Sequence, residues 1–326
     1  MHSGEREHVA EQSKKKVVDA KAETNTSQAE PPANWKPTAE AKAKATRFRW
    51  IAGILWAVAI IGEAVAIFWL LRQRVFVGED GTLTRDPNTG LLQEQGVTAT
   101  FPQWAFITLI VMLVVIAILA ITGSVLWKKA NRLDPARKSE TVRFFVQNQL
   151  GAIIAIVAFL PLIIMIFLNK DMDKGQKATA GIIGIVLAVV AAVIGVDFNP
   201  PSVEKYTADQ STVIQLLGQD EVVWVEGGEV YHVCDSVSAI QTGSEILTGT
   251  TAEAIAAGKT RLTLQFPSEL RACNLAVPEN ADEITAALKE IQGGNVNVTL
   301  PAPVWADPSD APIQIQDAAP DVVPAS

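Results

Sequence analysis

The chain has 326 residues, 49 % of them hydrophobic and 19 % charged, with a mean hydropathy of +0.23, which excludes a disordered polypeptide and is too apolar for an ordinary soluble domain. Its formal charge of −8 divides into +3 over residues 1–49, +2 over 50–197 and −13 over 198–326. An acidic balance argues against nucleic-acid binding, which needs a basic surface to displace counterions. Two cysteines exclude a disulfide-dense scaffold or an iron–sulfur protein.

In chain order, residues 1–47 are polar, pass through Lys14-Lys15-Lys16 and Pro31-Pro32, and show neither the early apolar run of a secretory signal nor a lipid-attachment cysteine. They read as a disordered cytoplasmic arm, its lysine run solvated or weakly drawn to anionic lipid. Residues 48–197 read as a four-helix transmembrane domain. Its spans are 50–71, 104–127, 149–168 and 179–196, each close to the roughly 20 apolar residues that a bilayer demands. Trp50, Trp69, Trp104 and Trp127 stand at or near the ends of the first two, as an aromatic belt requires.

Lys42, Lys44, Arg47 and Arg49 precede the first span, and Lys128, Lys129, Arg132, Arg137, Lys138 and Arg143 lie between the second and third. Cytoplasmic loops retain such charges, so both segments read as cytoplasmic. Four spans then return the C-terminus to the same side. The location expected is the plasma membrane, with lipid as the first partner.

Asn199-Pro200-Pro201 ends the fourth span, and residues 198–300 read as a small α+β domain. Val222–Glu226 and Glu229–Cys234 are β-rich and joined by Gly227-Gly228, a hairpin signal. Thr250 stands three residues before Glu253, a capping box that opens a short helix ending at Gly258. Arg261–Phe266 alternates as a strand stopped by Pro267, Asp282–Gln292 has helical spacing, and Asn295–Leu300 reads as a last strand. Residues 301–326, rich in Pro, Ala and Asp, read as a disordered tail.

Glu63 is the acidic residue well inside a span, where a carboxylate must be protonated, paired or turned to a polar cavity. It serves either an interhelical hydrogen bond, to Thr108, Thr122 or Ser124, or a proton relay, for which further ionisable partners at depth are missing from the other spans. In the fourth span Gly184, Ala188 and Ala192 recur every fourth residue and make a helix-packing face, for use inside the bundle or against a larger complex.

His232 and Cys234, with Cys273 thirty-nine residues on, form the one soft-ligand cluster, and His232, Cys234 and Asp235 are weak metal candidates lacking the close Cys or His pairs of a zinc site. Cys234 and Cys273 are either buried thiols or a disulfide, and a disulfide calls for an oxidising compartment, against the topology above. No haem, nucleophile-elbow, zincin or dinucleotide motif occurs. Gly258-Lys259-Thr260 imitates the end of a phosphate loop but has Glu253 where the first glycine belongs. No catalytic residue and no cofactor is expected.

The segment KATRFRWIAGILWAVAIIGEAVAIFWLL, the three further spans and the stretches VVWVEGGEVYHVCDS, GTTAEAIAAGKTRLTLQF and ELRAC resemble uncharacterised multi-pass membrane proteins of actinobacteria. Over about residues 45–275 the chain is similar to accessory subunits of the actinobacterial cytochrome bcc–aa3 respiratory supercomplex. That resemblance implies a non-catalytic, stabilising subunit without a redox centre, with other membrane subunits as partners. The alternatives are a membrane-anchored sensor that binds a metal or small ligand through Tyr231, His232, Cys234 and Asp235, and a small transporter using Glu63.

Overall fold

The computed structural model describes residues 34–77, 83–85, 92–94, 98–236, 240 and 245–312. The chain divides into two units, Met1–Pro32 and Ala33–Ser326, and the described residues belong to the second. The Lys14-Lys15-Lys16 run, most of the expected arm and residues 313–326 of the expected tail lie outside them.

Four helices are long and apolar enough to cross a membrane, as a multi-pass membrane protein requires. Helix α1 is Ala39–Phe68, closed by a 3-10 turn at Leu70–Arg72. Four short strands follow, β1 (Val75–Val77), β2 (Leu83–Arg85), β3 (Leu92–Glu94) and β4 (Thr98–Thr100), with β1 antiparallel to β4 and β2 to β3. Helices α2 (Gln103–Leu133), α3 (Thr141–Leu168) and α4 (Lys174–Gly195) complete the bundle. The start of α1 corrects the sequence reading. Thr38 caps it by accepting the Ala41 amide at 3.1 Å, inside the stretch to residue 47 expected to be disordered.

Helices α1 and α2 have 30 and 31 residues, which at about 1.5 Å per residue is about 45 Å against a hydrocarbon core of roughly 30 Å. The surplus emerges as a platform. There Ala41 and Ala45 pack on Ala130 and Leu133, and Arg49 holds Asp134 through its carboxylate at 2.6 Å and its carbonyl at 2.8 Å. Within the bundle, the buried Ala45, Ala52, Ala59 and Ala66 recur every seventh residue along α1, and such small residues let helix backbones approach closely. Of the four tryptophans read as an aromatic belt, Trp50, Trp69 and Trp104 are exposed. Trp127 instead turns inward, its ring 5.3 Å from buried Trp56 and its indole N–H donating to the Gln147 carbonyl at 2.8 Å.

The C-terminal lobe sits on that platform. It comprises α5 (Val203–Leu217), β5 (Val222–Val225), β6 (Val230–Tyr231), β7 (Ile246–Gly249), α6 (Thr251–Ala256), β8 (Arg261–Leu262), α7 (Phe266–Ala272) and α8 (Ala281–Gly293). Strand β5 pairs antiparallel with β7, Val222 opposite Gly249 and Val225 opposite Ile246, and β6 pairs parallel with β8. The hairpin across Gly227-Gly228 is reduced to the bridge between Val223 and His232. Thr250 and Glu253 form a reciprocal capping box on α6.

Three readings of the lobe change. Pro267 lies in the first turn of α7, where the helix needs no amide donor, so the strand read as Arg261–Phe266 is only Arg261–Leu262. Asn295–Leu300 has no strand; Val296, Val298 and Leu300 pack against the core from irregular chain. The expected tail is held as far as Val304 and Trp305: the Val304 amide donates to Asn280 Oδ1, its carbonyl accepts from Glu279, and Trp305 rests on the core.

That core gathers Tyr206, Val213, Trp224, Tyr231, Ile255, Phe266 and Leu288, and with them Trp35 from the chain before α1. Bundle and lobe are tied by main-chain contacts. Tyr206 donates its hydroxyl to the Arg132 carbonyl at 3.1 Å, the Val203 amide donates to Ala136, and the Lys138 amide donates to the Glu204 carboxylate.

Candidate functional site

Where α4 ends and α5 begins, the chain turns over the last turn of α2, and β8 and α8 close the far side. Between them lies a half-open polar cleft of about 290 Å³, with Arg132, Asp197, Lys205, Asp209, Glu229 and Arg261 among its lining residues. Each charge has a local reason to be there. Arg132 comes from the last turn of α2, Asp197 follows the end of α4, and Lys205 stands in the first turn of α5, where Ser202 caps its amide.

Asp209 is 1 % exposed and fully engaged. Its Oδ2 accepts the Tyr231 hydroxyl at 3.0 Å and the Leu262 amide at 2.9 Å, and its Oδ1 accepts Gln292 Nε2 at 2.8 Å. Burial outweighs these bonds and raises its pKa to about 6. Burial also pushes the Tyr206 and Tyr231 hydroxyls up, so both are neutral donors.

Lys205, 6 % exposed, donates to Asn199 Oδ1. Burial and the nearby Lys138 lower its pKa to about 8. Asp197 Oδ2 is buried with no hydrogen-bond partner. Among the described residues no ion pair joins Lys205, Arg132 or Arg261 to Asp197 or Glu229. Opposite charges thus line one small space without pairing.

The residues singled out by sequence lie elsewhere. Cys234 is bonded to Cys273, His232 Nδ1 lies 2.7 Å from Glu269 Oε1, and Asp235 accepts from Ser236. They do not converge as metal ligands, and among the described residues no group of three or more His, Cys, Asp or Glu could hold a metal ion. Tyr231, grouped with them as a ligand contact, points to Asp209 on the cavity side. Lys259 plugs the turn after β5, donating to the carbonyls of Val225, Glu226 and Gly228 at 2.6 to 2.8 Å.

Glu63 makes an interhelical bond, but to α3: its Oε1 accepts the Leu162 amide at 3.2 Å. Thr108 and Ser124, expected as partners, donate to carbonyls of their own helix. The face of Gly184, Ala188 and Ala192 is used within the bundle. A Cβ on Gly184 would stand 3.0 Å from Ile163, and both alanines pack against the bundle core.

Asp197, Lys205 and Asp209 were not legible as a site. Lys205 carried a signal, being the single basic residue soon after the last span. Asp209 carried none, since the glutamine that binds it lies on α8. No family model, no curated protein and no solved structure matches this chain.

Proposed function

We propose that this is a non-catalytic integral membrane protein that works by binding: a membrane-anchored sensor whose small α+β lobe, held on the cytoplasmic face of the plasma membrane, receives a polar ligand in the cavity between lobe and spans. One observation carries the reading: Lys205 is buried in the wall of this cleft with Asn199 Oδ1 as its acceptor and, among the described residues, no carboxylate paired to it. Burying charge costs several kcal/mol unless something compensates it, and a ligand entering the cavity would do so. The ligand site moves from His232 and Cys234, already engaged, to the cleft that Lys205 lines.

The Lys and Arg flanks favour the cytoplasmic side for the lobe, while the Cys234–Cys273 disulfide argues for an oxidising compartment on the other side. An accessory role in a larger membrane complex, which the family resemblance implies, would have to use the lipid-facing sides of the spans, because the small-residue face of α4 is occupied by α2 and α3. Transport through Glu63 is disfavoured by its engagement with Leu162.

The test is thermal unfolding of the full-length protein in detergent across a panel of small polar anions, cations and zwitterions. At least one compound is expected to raise the unfolding temperature, as binding to the native state must, and Lys205→Gln to abolish the rise. A panel with no effect overturns the binding reading.

A further inference from the structure

Resting on the binding reading and on the cytoplasmic side for the lobe, we infer that the Cys234–Cys273 bond is a reversible redox switch. Closed, it locks the two-stranded ladder whose other end lines the cleft; open, it loosens that wall. Disulfides on the cytoplasmic side meet reducing thiols, and those found there are transient or redox-sensing. A cytoplasmic lobe and this bond therefore agree when the bond opens and closes.

The bond sits at the trailing end of the parallel pair β6 and β8, in which Val230 lies opposite Arg261 and Tyr231 opposite Leu262. At the leading end the Thr260 amide and hydroxyl both donate to the Glu229 carbonyl, at 2.8 and 3.0 Å, and Glu229, Thr260 and Arg261 line the cleft. At the trailing end the Thr263 amide donates to the Tyr231 carbonyl at 3.0 Å. From there β6 runs on to Cys234, and β8 leads into α7, which ends at Cys273. Strands this short hold little by themselves, so a cross-link at one end bears on the other.

The surroundings suit a bond that re-forms. Both cysteines are half-buried and stand beside the exposed Asp235, Arg271 and Asn274, so an attacking thiolate can reach them. Behind them the buried Glu269 carboxylate holds His232 Nδ1 at 2.7 Å and the Val233 amide at 3.2 Å, contacts that do not involve the sulfurs. Helix α7 also ends without help from the bond: Asn274 is left-handed, with φ of 57°, and the Leu275 amide donates back to the Leu270 carbonyl at 2.8 Å. The opened thiols thus stay side by side. Cys234 Sγ lies 3.3 Å from the Glu269 carbonyl, an acceptor for its thiol proton.

Opening is a two-electron exchange with a dithiol reductant. One reductant thiolate attacks a protein sulfur, the S–S bond breaks, and the other protein sulfur leaves as a thiolate and takes a proton. The second reductant thiolate then displaces the first protein sulfur from the mixed disulfide, and that sulfur is protonated in turn. The dithiol ends as a disulfide and both cysteines as thiols.

Two measurements on the full-length protein test this. In cells, acid quenching followed by alkylation of free thiols is expected to find the bond open in part, closing on treatment with diamide and opening again after its removal. In nanodiscs, hydrogen exchange at the Thr260, Leu262 and Thr263 amides is expected to be about tenfold faster after dithiothreitol, or in Cys273→Ser, than in the oxidised parent. Exchange in α8 should stay unchanged. A bond held in one state in cells under every condition overturns the switch, and a bond always closed is what an external lobe would give. Exchange unmoved by opening, or raised equally in α8, overturns it as well. Each of these results leaves the binding reading to the thermal panel and Lys205→Gln.

Discussion

Leu162 donates its amide proton to Glu63 Oε1 across 3.2 Å, one residue after Pro161 in α3. The proline has no amide of its own, so the ladder of α3 is interrupted at this turn, and a carboxylate from α1 accepts the next amide along. In a bilayer every such donor must find a partner within the protein. The acid inside the first span thereby acquires a structural role that its own segment could not reveal.

Glu63→Gln retains an acceptor oxygen and is expected to leave bundle stability within about 1 kcal/mol of the parent. Glu63→Leu removes it and is expected to cost about 1–3 kcal/mol. In a Pro161→Ala background, where α3 regains an amide, the Glu63→Leu cost should shrink. Detergent unfolding of the four proteins in a double-mutant cycle measures the difference.

The crossing of α3 and α4 rests on two backbones in contact. A Cβ on Gly195 would stand 2.5 Å from the Ala152 nitrogen and the Gly151 carbonyl carbon, whereas one on Gly53 meets nothing within 4 Å. Gly195→Ala is expected to cost about 1–3 kcal/mol by overpacking and Gly53→Ala to be neutral or slightly stabilising. The same unfolding assay separates the two.

Asp209 and Lys205 predict two pH windows of opposite sign. The folded pKa of Asp209, about 6, lies above its ordinary 3.8, so its contribution is complete below pH 3.8 and is lost as pH rises through 6. That loss is on the order of 3 kcal/mol. Lys205 is depressed to about 8 from 10.5, so the penalty of charging it in the folded state is relieved as pH climbs between these values. Unfolding of Asp209→Asn against pH should show the lower window flattened and the upper one kept.

Cys234 and Cys273 join the loop after β6 to the end of α7 across 39 residues of sequence. Cys273→Ser is expected to cost about 2–4 kcal/mol when the parent is oxidised and nothing when it is reduced. A C-terminal fluorescent protein should light up in cells and alkaline phosphatase at the same point stay inactive. The reverse pattern would put the lobe outside and make the disulfide a permanent staple.

The spans were legible because lipid imposes one rule on every exposed position, and a run of apolar residues records it without reference to the rest of the chain. Their ends were not, since the platform beyond the bilayer is polar, and Ala39–Arg49 looks like any charged segment until Asp134 is placed against it. In the lobe, capping at Thr250 could be read locally. Helix α5 had its signals in Ser202 and Gly218 but followed two prolines that suggested extended chain. The cavity was invisible for a different reason: Asp197, Asp209 and Gln292 become neighbours only through the docking of α5 and α8, and no local spacing encodes that.

Trp35 is buried at 2 % exposure, its ring 4.8 Å from that of Tyr206 and its amide donating to Thr207. It leaves the ribosome ahead of every span, yet its partners Tyr206 and Thr207 stand on α5, after all four. The N-terminal segment must therefore wait, unburied, through the insertion of all four helices and close the structure as a late event. Contacts of such long sequence separation are slow to form, so assembly in the membrane and completion of the lobe are separate steps, and the second is the one a misplaced N-terminal fusion would arrest.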